Sequence, residues 1–443
     1  GNPHMVSSVV PQDGSAVVRY RDDPETYEEW AGNRAALAID GSGQRPPRRL
    51  AHSIDGDQLV VGLDALGDAS GHTLVRAIAE AADGRVAHPA LAALGASAGV
   101  DSWRDDILYL AIIDRFADGD PENGGPVDDP NLLPPANYHG GDFTGLREVV
   151  DSGYFERLGV TALWLSPVNE NPPGAWREFP QPRRYFTGYH GYWPVERFGI
   201  EQRFGGRAAF VDLLTAARGR GMKVIADLVL KHVHIDNPLF AARRELFGRL
   251  EDADGAPNLR RWNEAPYTTW FEPFLPAYDF RNPAAHALLL DDATHWITEY
   301  GLDGYRLDAV KHIRPDFWWR FRARMDKLAP AGGDPLFLGE TFQSREGIAA
   351  FVGAGMLDGQ FDFPLYDALI EVIARNAAGF ERLERALAAS ERVYGRLPLM
   401  SPLLGNHDKA RFMAYADGDL PHPEFEPAEL GWQRDVQVDN PQA

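Results

Sequence analysis

Three acidic residues occupy comparable places far apart in the chain. Asp308 ends the run Gly304-Tyr305-Arg306-Leu307-Asp308, Glu340 follows Leu336-Phe337-Leu338-Gly339, and Asp408 closes Gly405-Asn406-His407-Asp408. Residues at the ends of strands in a parallel barrel converge on one face. Two carboxylates about 5 Å apart can share a displacement, one as nucleophile and one as acid/base, as retaining glycoside hydrolysis requires. Arg306 precedes Asp308 by two residues, so on a strand both side chains point the same way and a cation stands beside the anion. Glu340 needs the opposite environment, a raised pKa, and two adjacent anions, Asp308 and Asp408, would supply that push. Any one of these acids alone fits a helix cap or a turn. Their joint placement carries the chemistry.

The elements that must position them read as a β/α alternation. Apolar strands are expected at Ile107–Ile113, Val160–Leu165, Lys223–Leu230, Gly304–Val310, Leu336–Gly339, Gln360–Phe363 and Leu397–Leu404. Helical patterns at Arg207–Arg218, Ala284–Tyr300, Arg314–Leu328 and Asp367–Val393 fall between them. Near-continuous apolar strands alternating with amphipathic helices imply a parallel sheet, and at this length an α/β fold of the (β/α)8 TIM type. Only seven strands can be counted, and no eighth is evident after Asp408. Two stretches, 168–206 and 233–282, are rich in Pro, Trp and Tyr and lack periodicity. Long loops of this kind are usually functional. Residues 1–100 differ: short alternating segments such as Ala16–Tyr20, Gln58–Leu63 and His72–Ile78 lie between Gly/Asp turns, as in a small β-sandwich of about seven strands. The expected organisation is an N-terminal β-sandwich over 1–100, a catalytic barrel over 101–443, incomplete at its C-terminus, and an inserted loop domain at 233–282. Glucan binding, subunit contact and packing against the barrel are the open roles for the first domain.

Composition narrows the partners. The 443 residues carry 44 Lys+Arg against 65 Asp+Glu, a net charge of −21, which repels a phosphate backbone and argues against nucleic acid. The absence of cysteine excludes disulfides, thiolate metal sites and a Cys nucleophile. No apolar run reaches the length of a membrane span. The opening Gly1-Asn2-Pro3-His4-Met5 reads as an expression remnant, so the lack of a leader leaves the compartment open.

Four short segments resemble the signature regions of the α-amylase family of glycoside hydrolases (family 13). They are Ala226–His232, Gly304–His312, Gly339–Phe342 and Asn406–Asp408, in the family's order. The resemblance implies Asp308 as nucleophile, Glu340 as acid/base and Asp408 as a transition-state stabiliser that grips sugar hydroxyls. It places Asp227, His232, Arg306 and His407 around the sugar at the scissile bond. Tyr189, His190, Tyr192 and Trp193, in Gly188–Trp193, resemble the family's sugar-stacking loop. An aromatic ring suits the C–H face of a glucose and His190 its polar edge; an aromatic core cluster is the alternative. Lys311 and His312 accompany α-1,4-glucan-cleaving members of the family, which implies starch, glycogen or maltodextrin as substrate.

The resemblance also bears on metal. Many relatives hold calcium between the barrel and the loop after the third strand, through an Asn and an Asp. Lys231 and Ala277 stand in those places and supply no side-chain oxygen, so no metal is expected there. A second loop, Asp114–Asn123 with Gly140-Gly141-Asp142, resembles a calcium loop of cyclodextrin glucanotransferases. Asp118, Asp120, Asn123 and Asp142, with the Gly140 carbonyl, are its expected ligands, and Gly124 departs from the pattern. The expected activity is retaining hydrolysis of α-1,4-glucosidic bonds by double displacement. A glucanotransferase on the same site and a non-catalytic glucan-binding homologue are the alternatives. The expected partner is an α-glucan oligo- or polysaccharide, with no nucleic acid or membrane. The missing strand leaves room for a trimmed chain or for a second polypeptide fragment that completes the barrel.

Overall fold

Strands whose residues are apolar on both faces must be covered on both faces, and that requirement organises the chain from Trp103 onward. The computed structural model describes residues 103–420, apart from 252–254, 329–334, 354, 396–397 and 419, together with the backbone of eight strands between residues 6 and 94. Those eight are β1 (Val6–Gln12), β2 (Ser15–Arg21), β3 (Arg34–Asp40), β4 (Arg48–Arg49), β5 (His52–Asp55), β6 (Gln58–Gly62), β7 (Thr73–Ala79) and β8 (Ala90–Leu94). They form two antiparallel sheets, ordered β1-β2-β6-β5 and β4-β3-β7-β8. The run Gly95–Asp101, whose small residues read as a linker in the sequence, lies outside the described residues.

The sheet that bears the acids is parallel. It comprises β9 (Leu108–Ala111), β10 (Ala162–Leu165), β13 (Lys223–Leu228), β14 (Gly304–Leu307), β15 (Leu336–Gly339) and β16 (Gly359–Gln360), paired in that order. A short hairpin, β11 (Trp176–Arg177) with β12 (Tyr185–Phe186), stands apart in the first long loop. Alternation along each strand is strict. Ala162, Trp164, Ile225, Leu336, Leu338 and Phe361 share one apolar cluster. Leu163, Leu165, Val224, Ala226, Tyr305, Leu307 and Phe337 belong to a second, with the helices Gly206–Gly219, Pro283–Tyr300 and Pro315–Met325. Gly304 sits at φ 147°, and a Cβ there would lie 2.0 Å from the Leu336 carbonyl oxygen, so this strand can approach its neighbour only as glycine.

Two expectations need correction. The seventh strand, read at Leu397–Leu404, is reduced to one parallel bridge between Phe361 and Ser401. Leu399 donates to Asp358 and Ser401 to Gln360. Among the described residues nothing pairs with the outer edge of β9, so the sheet they form is an open parallel half-barrel. The helix Phe412–Ala416 and Leu420 instead add Ala414, Tyr415 and Leu420 to the cluster that holds Trp103 and Trp164. Finally, the single helix expected over Asp367–Val393 is two: Phe363–Leu369, continued to Ala374 with wider π-type turns, and Phe380–Tyr394. Asn376, in the left-handed region at φ 48°, ends the first. Among the described residues no helix is long and apolar enough to cross a membrane.

The loop inserted after β13 folds back on the chain that enters it. Val233 donates to Pro276, Ile235 to Phe274 and Tyr278 to Lys231, and His232 bridges Ala277. Lys231 and Ala277 are therefore neighbours, and both are fully buried. The Lys231 ammonium donates to the Tyr267 carbonyl at 2.9 Å, and His312 Nδ1 meets the Pro266 carbonyl at 3.1 Å. Burial pushes the Lys231 pKa down to about 7, against the pull of Asp279. A lysine thus ties the inserted loop to the sheet. A chelator should leave hydrogen-exchange protection of residues 265–279 unchanged, whereas Lys231→Ala should speed their exchange by on the order of tenfold or more. Loss of protection on chelation alone would contradict this.

Candidate active site

The inward parity of β13, β14 and β15 delivers Asp227, Arg306, Asp308 and Glu340 to one place. Asp227 pairs with Arg306 across the sheet, and Arg306 with Leu338, two residues before Glu340. Arg306 is fully buried. Its Nη1 lies 2.8 Å from both Asp227 oxygens and 2.9 Å from Asp308 Oδ1, and its Nη2 forms an ion pair with Glu340. One guanidinium therefore gathers three carboxylates from three strands. Asp227, Asp308 and Glu340 are themselves buried, at 3%, 8% and 6% exposure. Asp308 stands just before Ala309, whose left-handed φ of 50° ends the strand and turns the chain into the short helix Val310–His312.

Asp408 is placed differently. It follows the single-bridge seventh segment, its side chain is 45% exposed, and His407 Nε2 lies 3.3 Å from its Oδ2. It is near enough to act on Glu340 electrostatically. Burial is the main cause that raises the Glu340 pKa, with Asp408, Asp308 and Asp227 adding to it against the pull of Arg306. The push expected from Asp308 and Asp408 is present, but desolvation is larger. Burial also raises Asp227, and Arg306 opposes it.

The first long loop covers this cluster. Tyr192 donates its hydroxyl to Asp227 Oδ2 at 2.7 Å, and its ring stacks on His407 at 4.9 Å and 20°. The His232 Nε2 meets the Tyr192 carbonyl at 2.9 Å. His190 accepts from the Tyr192 amide, and burial together with His407 drives its pKa down to about 3, so it is neutral near pH 7. Tyr189 lies under Arg115, 3.6 Å from the guanidinium carbon. Lys311 donates to the Phe342 carbonyl at 3.2 Å, and burial lowers its pKa against the opposing pull of nearby Glu340.

Two residues expected to contact sugar take other places. Trp193 is 7% exposed and packs edge-on against Phe274 at 5.0 Å and His190 at 4.7 Å, so it backs the loop and offers no open platform. His312 is buried, holds Pro266, and lies against Trp262 and Phe271, so it braces the inserted loop. Conversely, Trp164 belongs to the site and was not read from the sequence. Its indole N–H donates to Asp227 Oδ2 at 3.1 Å, and its ring stacks on Phe361 at 5.1 Å. The available signal was parity, since Trp164 lies opposite Ile225, two residues before Asp227. Phe271 packs 5.3 Å from the His232 ring, in a loop whose sequence shows no periodicity.

The expected cation loop is assembled as one turn. Asp142 caps the helix Phe143–Asp151 through Gly145 and accepts from Gly119, Asp120 and Asn123 Nδ2. A Cβ on Gly140 would lie 3.0 Å from Asp118 Oδ2, so that carboxylate and the Gly140 backbone are in contact. Asn123 Oδ1 is buried and accepts no hydrogen bond from the protein, as a ligand oxygen awaiting a cation would be. Among the described residues no three His, Asp or Glu side chains converge as a ready-made metal cluster. The oxygens a cation could use there are the Asp118, Asp120 and Asp142 carboxylates, the Asn123 amide and the Gly140 carbonyl, of the hard kind that calcium takes.

Comparison with known proteins agrees with this geometry. The α-amylase catalytic-domain family model matches residues 112–254 and 249–424. Similar proteins include a cyclomaltodextrinase from a Bacillus species, 27% identical over 72% of this chain and 55% of its own length. A cyclomaltodextrin glucanotransferase from Bacillus sp. (strain 17-1) is 29% identical over 70% and 45%. The chain thus spans about half the length of these curated relatives. Among solved structures, the α-amylase from Geobacillus thermoleovorans complexed with acarbose is 31% identical at a TM-score of 0.58, covering 71% of this chain and 64% of that one. Fold, parity and matched residues together establish that this chain belongs to the α-amylase family of glycoside hydrolases, of which it carries the catalytic domain.

Proposed function

We propose that the chain is a retaining glycoside hydrolase acting on α-1,4-glucosidic bonds of starch, glycogen or maltodextrins. The observation that carries this is the Arg306 guanidinium, shared by Asp227, Asp308 and Glu340. Asp308 attacks the anomeric carbon while Glu340 protonates the departing glycosidic oxygen. Glu340 then takes a proton from water, whose oxygen displaces Asp308 and releases the sugar. Asp408, on the open side, grips sugar hydroxyls. Tyr192 and His190 line the sugar, with Asp227 and His232 behind them. The Arg306 charge stands beside Asp308, the attacking acid, and burial favours the protonated Glu340 despite that charge.

The glucanotransferase relative supports a second reading, in which a sugar hydroxyl replaces water as acceptor. Maltoheptaose digestion separates the two, since transfer yields oligomers longer than the substrate. Asp308→Ala and Glu340→Gln should each lower kcat/KM on soluble starch by on the order of a thousandfold or more, with a melting temperature near the wild type's. Normal hydrolysis by either variant would refute the assignment. The alkaline limb of kcat/KM marks loss of the Glu340 proton, so it should lie well above the ordinary glutamate value of 4.5. A limb at that value would contradict the raised pKa.

We further propose that the turn of Asp118, Asp120, Asn123, Gly140 and Asp142 binds calcium. The ion would supply a structural tie between the segment after β9 and the helix Phe143–Asp151. Calcium added to chelator-treated protein should raise the melting temperature by about 3 °C or more, and Asp118→Ala should abolish that gain. No rise in the wild type would remove the site.

A further inference from the structure

Asp227, Asp308 and Glu340 are held by Arg306 and by strands, but Asp408 is held by neither. Its loop runs beyond the single bridge at Ser401, where sheet pairing has ended. The hold comes instead from the residues on its two sides. On one side the His407 ring stacks on Tyr192. On the other, the Lys409 ammonium lies over three aromatic rings, 5.3 Å from Phe342, 5.5 Å from Tyr366 and 5.8 Å from Phe363. Phe342 and Phe363 stack on one another at 4.0 Å and 24°. Phe363 and Tyr366 are buried in the cluster that fills the half-barrel. The rings come from two separate places. Phe342 is two residues beyond Glu340, and Phe363 and Tyr366 lie in the helix after β16. The cage therefore joins the loop of Asp408 to the loop of Glu340.

We propose that Lys409 is a positioning residue: its ammonium, caged by Phe342, Phe363 and Tyr366, anchors the loop that presents Asp408 to Glu340 and to the bound sugar. The inference rests on the catalytic reading above. A cation is attracted to aromatic faces at these distances, and three faces act on one charge. Lys409 is bonded directly to Asp408, so the backbone of the acid follows the anchored side chain. Removing the charge frees the loop, and Asp408 withdraws. Asp408 is one of the anions that raise Glu340, so its withdrawal lets Glu340 lose its proton at lower pH.

The test compares the full chain with Lys409→Met and Lys409→Arg on maltoheptaose. Methionine keeps the apolar packing on the rings and removes the charge, and arginine keeps the charge. Lys409→Met should lower kcat about tenfold with an unchanged melting temperature, the order expected from losing a cation–π anchor, and should move the alkaline limb of kcat/KM to lower pH. Lys409→Arg should restore both. Wild-type kcat and pH profile in Lys409→Met overturn the role while leaving the catalytic reading intact. So does a loss that arginine does not rescue. A wild-type chain as inert on glucan as Asp308→Ala overturns the catalytic reading and this role with it.

Discussion

A single buried guanidinium organises the functional end of the sheet. Arg306 has no exposed surface, and it meets Asp227, Asp308 and Glu340 at once. Carboxylates this deeply buried are tolerable only with a partner, and leaving one behind unpaired costs about 3–5 kcal/mol. The planar fork explains why arginine and not lysine fills the place, since it offers several donors in fixed directions to several acids. The same charge holds β13, β14 and β15 together at their ends and sets the environment in which two acids can take opposite roles. Stability and chemistry are thus coupled through one side chain.

Around that centre the loops complete what the strands begin. Tyr192 and Trp164 satisfy the remaining acceptor capacity of Asp227, so an aromatic from a loop and another from a strand share one carboxylate oxygen. The two long loops are also joined to each other. The Phe179 amide, at the tip of the hairpin β11–β12, donates to Glu272 of the inserted loop at 2.7 Å, and Glu272 is ion-paired with Arg260. Lys231 and His312 fasten the same insert from beneath. The wall facing the acids is therefore a braced structure although it has little regular secondary structure.

The open edge of β9 belongs to the half-barrel that the described residues form. An uncovered parallel sheet would expose its inner face to water. Tyr415 and Leu420 reduce that exposure by joining Trp103 and Trp164 in the interior cluster, and Leu108 and Leu110 of β9 pack against the same cluster. Tyr415 comes from the short helix Phe412–Ala416, which covers apolar residues without needing a strand's hydrogen-bond register.

What the sequence determined by itself was local and periodic. Two-residue alternation put Arg306 and Asp308 on the same side of one strand, since parity on a strand depends on nothing beyond the strand, and Glu340 followed the end of another. The order and spacing of four short segments likewise pointed to the family. Tertiary structure decided the rest, because the rest depends on which surfaces distant segments cover. Trp193 became packing once Phe274 arrived against it, and His312 became a brace once the inserted loop folded over it. Trp164 entered the site only through the register that aligns β10 with β13. Glu340 owes its raised pKa more to burial than to the anions legible beside it, and burial is a property of the assembled fold.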